Sequence, residues 1–328
     1  MSKKINIGII GGAGYTAGEL MRILIFHPTA NIKFVHSTSN AGKFIYDVHT
    51  DLFGDCDLKF TSKIDQAIDV LFLCLGHGDS VKFLEANTIN KNIRIIDLSQ
   101  DFRMNGLFKK QKRNFVYGLP ELNKAQIKKA ENIANPGCFA TSIELALLPL
   151  AAKKILNNDV HVSAITGSTG AGQSLKPETH FTWRYSNIST YKAFEHQHLN
   201  EIGQSVLQLQ PAFKKNIHFI PYRGNYTRGI LASVYTTFKG SEKEAVDLYK
   251  VYYKDQPFTH VSSNKIDLKQ VVNTNKCFIH LQKQGEQLLI TSIIDNLLKG
   301  ASGQAVQNMN LMFGLEERTG LQLKGIGF

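Results

Sequence analysis

The stretch Lys4-Ile5-Asn6-Ile7-Gly8-Ile9-Ile10, followed by Gly11-Gly12-Ala13-Gly14-Tyr15-Thr16, constrains the fold more than any other part of the chain. A short β-type run ends in a glycine turn, and Leu20, Leu24 and Ile25 continue on one helical face. Strand, glycine turn and helix in that order open a parallel βαβ unit. Backbone without side chains can approach a pyrophosphate there, and the helix N-terminus receives the anion. A glycine triplet alone says little. Its place directly after the first strand makes Gly11, Gly12, Ala13, Gly14, Tyr15 and Thr16 candidate dinucleotide-binding residues. The next strand, 32–36, ends in Ser37-Thr38-Ser39-Asn40. A site for NAD places a carboxylate about here to hold the ribose 2′-hydroxyl. Ser37, Thr38 and Ser39 stand there instead, with Lys43 shortly after, which favours NADP because a carboxylate would repel its 2′-phosphate. The alternative is a plain turn.

The apolar run 69–75 reads as a buried parallel strand, with Cys74 serving as packing. Residues 93–98 supply another strand, and Ser99-Gln100-Asp101-Phe102-Arg103 follow at its carboxyl end, where ligands of open α/β sheets gather. Ser99 and Arg103 are therefore candidate substrate contacts, Arg103 for a carboxylate or phosphate. An ion pair of Arg103 with Asp97 or Asp101 is the competing reading. Asn135-Pro136-Gly137 then makes a turn that delivers Cys138 to the start of a long apolar helix. Unpaired N–H groups at that helix end favour a thiolate nucleophile; a buried structural cysteine is the alternative. Asn135, beside it, is a further candidate for the substrate.

Residues 160–165 form a strand, and Thr166-Gly167-Ser168-Thr169-Gly170-Ala171-Gly172-Gln173-Ser174 reads as a mobile loop whose backbone N–H groups fold over phosphates. Ser168, Gly170 and Gly172 are its cofactor candidates. His196 and His198, two residues apart, are expected on different faces whether strand or helix. No third ligand with metal spacing accompanies them, so no metal is expected. One of the pair is the acid/base partner of Cys138, or else both are surface residues. Further strands are expected at 217–220, 229–237, near 271, at 276–281 and at 288–294, with helices at 241–253 and along the tail through Ala305, Met309 and Met312.

Composition narrows the class. A length of 328 residues suits two domains, and no apolar run is long enough to span a bilayer. The sequence enters its strand pattern at once, without the apolar core of a signal peptide. Cysteines at 56, 74, 138 and 277 show neither disulfide nor zinc spacing, which points to a reducing cytoplasm. The net charge of +11 invites a nucleic-acid reading. Its densest run, Lys109-Lys110-Gln111-Lys112-Arg113, reads as a solvated loop with no zinc finger or helix-turn-helix beside it, so no nucleic-acid partner is expected.

Gly14-Tyr15-Thr16 with Glu19-Leu20, Asp97-Leu98-Ser99 with Asp101-Phe102-Arg103, Tyr117 to Leu122, Asn135 to Thr141 and Asn296 to Met312 together resemble N-acetyl-gamma-glutamyl-phosphate reductases of arginine biosynthesis. The resemblance runs along essentially the whole chain. It implies an α/β fold of the semialdehyde dehydrogenase superfamily: a Rossmann-type NADP-binding domain over 1–140 plus 296–328, and an α+β substrate and dimerisation domain over 141–295. It further implies NADPH-dependent reduction of an N-acyl-glutamyl 5-phosphate through a thioester on Cys138, a homodimer or homotetramer, and a cofactor contact at Asn296. His196-Gln197-His198 matches the family's His-Arg-His, with the second histidine the favoured acid/base. The segment Pro221-Tyr222-Arg223-Gly224-Asn225-Tyr226 departs from the family pattern, placing Arg223 where leucine is usual. Arg223 is thereby a candidate substrate contact, and an N-succinyl substrate is an alternative to N-acetyl. Two readings from other classes are a catalytically silent NADP-binding regulator and a basic nucleic-acid-binding or scaffold protein.

Overall fold

The computed structural model describes residues 4–104 and 106–327; the expectations that touch residues 1–3 and 328 lie outside it. The chain divides into two compact units. The first runs to Pro136 and resumes over Ala301–Gln322, and the second covers Gly137–Gly300 and resumes at Leu323. These divisions lie within five residues of the expected 140/141 and 295/296, while the segment from Leu323 groups with the second unit. Cys138 and Asn296 both belong to the second unit.

Among the described residues the first unit has β1 (Ile5–Ile10), β2 (Ala30–His36), β3 (Phe60–Thr61), β4 (Val70–Leu73), β5 (Arg94–Asp97), β6 (Leu107–Phe108), β7 (Arg113–Tyr117) and β8 (Asn132–Ala134) in one sheet. Their spatial order is β3-β2-β1-β4-β5-β8-β7-β6. Every pairing is parallel except that of β6 with β7. Strand order reverses beside β1, the place where such sheets bind ligands. Helices α1 (Tyr15–Leu24), α2 (Asp79–Ala86) and α3 (Pro120–Ile127) connect the strands. Leu71, Leu73, Ile95 and Phe115 belong to a core cluster in which the Phe102 and Phe115 rings stack at 4.1 Å.

The basic run 109–113 is only partly the solvated loop expected. Lys109, Lys110 and Lys112 are exposed, but Arg113 opens β7 and is buried. Its guanidinium donates to the carbonyls of Ile89, Asn90 and Ile93 and to Asn132 Oδ1, so it ties together the loop ends around β5 and β8.

The second unit has β9 (Val160–Thr166), β10 (Ser189–Thr190), β11 (Ile217–Arg223), β12 (Ile230–Thr237), β13 (Thr259–Ser262), β14 (Cys277–Gln284) and β15 (Gln287–Ile294). They form a mixed sheet in the order β10-β11-β9-β12-β15-β14-β13. Val271, expected in a strand, lies in a turn instead, and β13 upstream fills that sheet edge. Helices α4 (Cys138–Ala152), α5 (Phe181–Arg184), α6 (His198–Leu209) and α7 (Glu242–Tyr253) complete the unit. On β9, Val160, Val162, Ala164 and Thr166 are buried while the residues between them are not, the period-2 signature of a sheet packed on one face. Finally α8 (Ser302–Met312) returns to the first unit and packs against α1 and α3.

Helix α4 is predominantly apolar and is buried from Phe139 to Ala151, packing on α6, α7, β12 and β15. Pro149 lies inside it and has no N–H for the carbonyl of Leu145. The Tyr253 hydroxyl on α7 donates to that carbonyl, and Tyr249 donates to the next, at Ala146. Tyr253→Phe should therefore cost about 1–3 kcal/mol by leaving a buried acceptor unsatisfied. Denaturant unfolding measures this, and a loss within error would mean that the tyrosine is not what satisfies Leu145.

Candidate active site

Cys138 is the first residue of α4, with Gly137 as the extended N-cap (φ −72°, ψ 152°). The thiol is partly exposed and faces the helix end whose N–H groups favour negative charge. A Cβ on Gly300 would lie 2.8 Å from Cys138 Cβ and 2.6 Å from the Asn296 carbonyl oxygen, so only glycine lets that backbone pass. The N–H of Gly137 donates to Glu201 Oε2 at 2.9 Å. The other oxygen, Oε1, stands 3.8 Å from His198 Nε2. Glu201 is three residues beyond His198 on α6, the spacing that puts two side chains on one helix face.

The two histidines do not diverge as expected. Their rings lie 4.6 Å apart, and both meet the edge or face of Phe139, at 5.5 and 6.3 Å. His198 opens α6, whereas His196 sits in the irregular turn before it, so the strand and helix periodicities both fail at this point. Both are buried, which removes the surface reading. His196 Nδ1 accepts the N–H of His198 at 3.3 Å, which leaves the proton of a neutral ring on Nε2.

Burial pushes the His196 pKa down to about 3, helped by His198 and Lys192 and opposed by Glu201. The folded ring stays neutral down to that pH, while an unfolded one takes up a proton near 6.5. Between those values the unfolded chain binds more protons, so this group withdraws stability as pH falls, by at most about 1.4 kcal/mol per pH unit. His196→Gln should make the pH dependence of unfolding free energy shallower between pH 6 and 4. An unchanged slope would show that His196 is not the group responsible.

Around this centre lie Arg223, already a candidate from the sequence, and residues that sequence reasoning did not single out. Tyr191 meets the His196 ring edge-on at 5.7 Å, and the charge of Cys138 is among the causes, after burial, that raise its hydroxyl pKa. The Arg223 guanidinium lies over the Tyr191 ring, 4.6 Å from its centroid. Strand alternation gives Arg223 the same face of β11 as Phe219, whose ring touches Phe139 and His196. Tyr222 therefore points to the opposite face. Tyr226 is turned to the backbone, its hydroxyl donating to the Ile165 carbonyl. Glu201 was findable from its i+3 spacing to His198; Tyr191 and Phe139 carried no such local signal.

The loop 166–174 differs from the mobile cradle expected. The N–H groups of Gly167, Ser168 and Thr169 already donate to the carbonyls of Gly229, Tyr226 and Thr227, and those of Gly170 and Gly172 close turns within the loop. Backbone donors so occupied are not available to phosphate. Asn296, also buried, accepts from the N–H of Gly229 and donates to Thr169 Oγ1, bracing the same loop.

In the first unit, Gly11 has φ +78°, and a Cβ there would come within 2.4 Å of the Cys74 carbonyl oxygen, so the turn demands glycine. Gly12 donates its N–H to the His36 carbonyl, and Gly14 caps α1 ahead of Tyr15 and Thr16. The first turn of α1 carries no acidic residue. After β2, Ser37 is buried, Thr38 and Ser39 are exposed, and Lys43 Nζ donates to Asn40 Oδ1. Cβ-free backbone at a helix start, with hydroxyls and a lysine at the end of the second strand, fits a phosphorylated dinucleotide.

Ser99 is fully buried, and its hydroxyl donates to Asp97 Oδ2 at 2.7 Å while Ser80 donates to Oδ1 at 2.6 Å. Burial raises the Asp97 pKa to about 6, against the pull of these bonds and of Arg103. Arg103 donates to the carbonyls of Asn135 and Leu98. Asn135 in turn donates to the Ala301 carbonyl and accepts from Asn308. In the structure these bonds hold strand ends.

The same partition appears in family models. Residues 6–130 match the semialdehyde dehydrogenase NAD binding domain, and residues 138–296 match the semialdehyde dehydrogenase dimerisation domain. An N-acetyl-gamma-glutamyl-phosphate reductase of Christiangramia forsetii is 61% identical over 320 residues, covering 98% of each chain. One of Flavobacterium johnsoniae is 59% identical over 99% of this chain and 100% of its own. The chain belongs to the N-acetyl-gamma-glutamyl-phosphate reductase family. The chain also shares its fold with aspartate semialdehyde dehydrogenases. The Vibrio cholerae enzyme II complexed with ASA aligns with a TM-score of 0.70 at 14% identity, and the Candida albicans enzyme with NADP aligns with 0.70 at 12%, each over 95% of this chain and 99% of its own. Among the described residues of this reductase-family chain, no helix is long and apolar enough to cross a membrane.

Proposed function

We propose that this chain reduces an N-acyl-L-glutamyl 5-phosphate to the N-acyl-L-glutamate 5-semialdehyde at the expense of NADPH, within arginine biosynthesis, with Cys138 as nucleophile and His198 as acid/base. The observation that carries this reading is the pairing, in the second unit, of a thiol at a helix start with a buried histidine through one carboxylate, Glu201. His198 takes the thiol proton. The Cys138 thiolate attacks the acyl carbon, the bond from that carbon to the phosphate oxygen breaks, and phosphate departs with the electron pair. The product is a thioester on Cys138. N–H groups in the first turn of α4 face the oxyanion that forms in each addition. NADPH, when bound, supplies the hydride. The thiohemiacetal then collapses as its C–S bond breaks, and His198 returns the proton to the departing sulfur. A Glu201 carboxylate beside that ring stabilises the imidazolium meanwhile. His196, neutral across the physiological range, serves as a packing and hydrogen-bonding neighbour rather than as the proton carrier.

Gly11 to Thr16 would receive the pyrophosphate, and Ser37, Thr38, Ser39 and Lys43 the 2′-phosphate. We place the reaction in the cytoplasm, where four cysteines with no disulfide among them are at home. The subunit contact falls on the open face of the second sheet, where His161, His218 and the exposed Tyr235 stack in a row, giving a homodimer or its doubled form. The deciding assay is oxidation of an N-acylglutamate 5-semialdehyde, which should require both phosphate and NADP and favour NADP over NAD in kcat/KM. Binding of the cofactor without turnover would make the chain a silent regulator, and a preference for NAD would remove the assignment at residues 37–39.

A further inference from the structure

Two arginines stand together beside the cysteine centre without an acid. Arg184, at the end of α5, is 7% exposed, and its guanidinium donates to the Arg223 carbonyl at 3.0 Å and to Ser189 Oγ at 3.3 Å. It also stacks on Trp183, 4.9 Å from the ring centroid. Arg223 lies over Tyr191 and hydrogen-bonds its side chain. The Nε–H groups of both are buried without an acceptor, and among the described residues neither arginine makes an ion pair. Every partner they have is neutral. The neighbouring charge of Arg223 even adds to burial in pulling the Arg184 pKa down. Two like charges with unspent, buried donors are unfavourable together unless an anion completes the arrangement. A guanidinium's planar fork matches a carboxylate with two parallel hydrogen bonds.

The position says which anion. Phe219, Pro221 and Arg223 are successive residues on one face of β11. Phe219 meets His196, and Tyr191 stands with its ring between His196 and Arg223. The arginines therefore lie beyond the reacting centre by about the width of a side chain, a separation that an acyl-glutamyl group held by its acyl carbon at Cys138 would span. One cation there would serve the α-carboxylate shared by all N-acyl glutamates. Beyond the bonds that Arg184 makes to the Arg223 carbonyl and Ser189, the second cation would meet a carboxylate where the acyl group itself ends in one.

We infer that Arg223 and Arg184 form an acyl-end carboxylate site, which makes an N-acyl group with a terminal carboxylate, such as N-succinyl, preferred over N-acetyl. This rests on the thioester reductase reading above. The test compares kcat/KM for N-succinyl- and N-acetyl-glutamate 5-semialdehyde in the phosphate-dependent direction, using wild type, Arg223→Leu and Arg223→Lys. Wild type should favour the succinyl compound by about 10- to 100-fold. Arg223→Leu should bring the ratio near unity, chiefly through KM of the succinyl compound, and Arg223→Lys should restore part of it. The KM of phosphate should stay within about twofold in both variants. A wild type that favours the acetyl compound overturns the inference even if the variants fail to fold. So does an equal loss on both compounds, which marks the α-carboxylate site, or a raised phosphate KM with an unmoved ratio, which marks the phosphate site. Absence of turnover on either compound sinks the reductase reading instead.

Discussion

Cys138→Ser should lower turnover by more than about a thousandfold while NADPH binding stays within a few-fold of wild type. Serine nearly reproduces the size of cysteine, so the first turn of α4 and the Gly137–Glu201 bond remain. What is lost is ionisation: a serine hydroxyl at a helix start stays protonated at neutral pH, and no thioester can form. Steady-state rates with an NADPH titration measure both halves. Turnover within tenfold of wild type would take Cys138 out of the mechanism. Alkylation offers an independent check. Iodoacetamide should label Cys138 ahead of Cys74, whose buried thiol is pushed up to about 12. Equal labelling of the two would contradict the protection that burial gives Cys74.

His198→Asn should slow the chemical step by about 10²–10⁴-fold and alter its pH profile, because asparagine can fill the space but cannot carry a proton. His196→Asn should do much less to that step, since its ring is already neutral at working pH. Single-turnover rates across pH separate the two. If the His196 variant is the slower one, the acid/base assignment moves to His196 and Glu201 loses its proposed role.

Much of this was legible because it is local. The β1 turn announces itself through Gly11, where a positive φ and a close carbonyl leave no alternative to glycine. Asn135-Pro136-Gly137 likewise fixes where α4 starts, and so where Cys138 sits. Contacts that depend on distant segments were not legible. The histidines converge only because His196 sits outside α6, and no periodicity describes a single irregular turn. The loop 166–174 looks like an open cradle until residues 226–229 arrive to occupy its N–H groups. Arg113 reads as one more surface charge because its four acceptors come from two stretches, 89–93 and Asn132, each about twenty residues away along the chain. Arg184 and Arg223, 39 residues apart, meet only through the pairing of β10 with the end of β11.

Glu201 holds the N-cap of α4 with one oxygen and faces His198 with the other, and both helices are packed in one unit. The relative placement of thiol and imidazole is thus settled during folding, when the entropy of ordering them is spent along with that of the surrounding core. In the mechanism we propose, substrate arriving at this pair would find few rotors left to freeze, so more of its binding energy would remain for distortion toward the transition state.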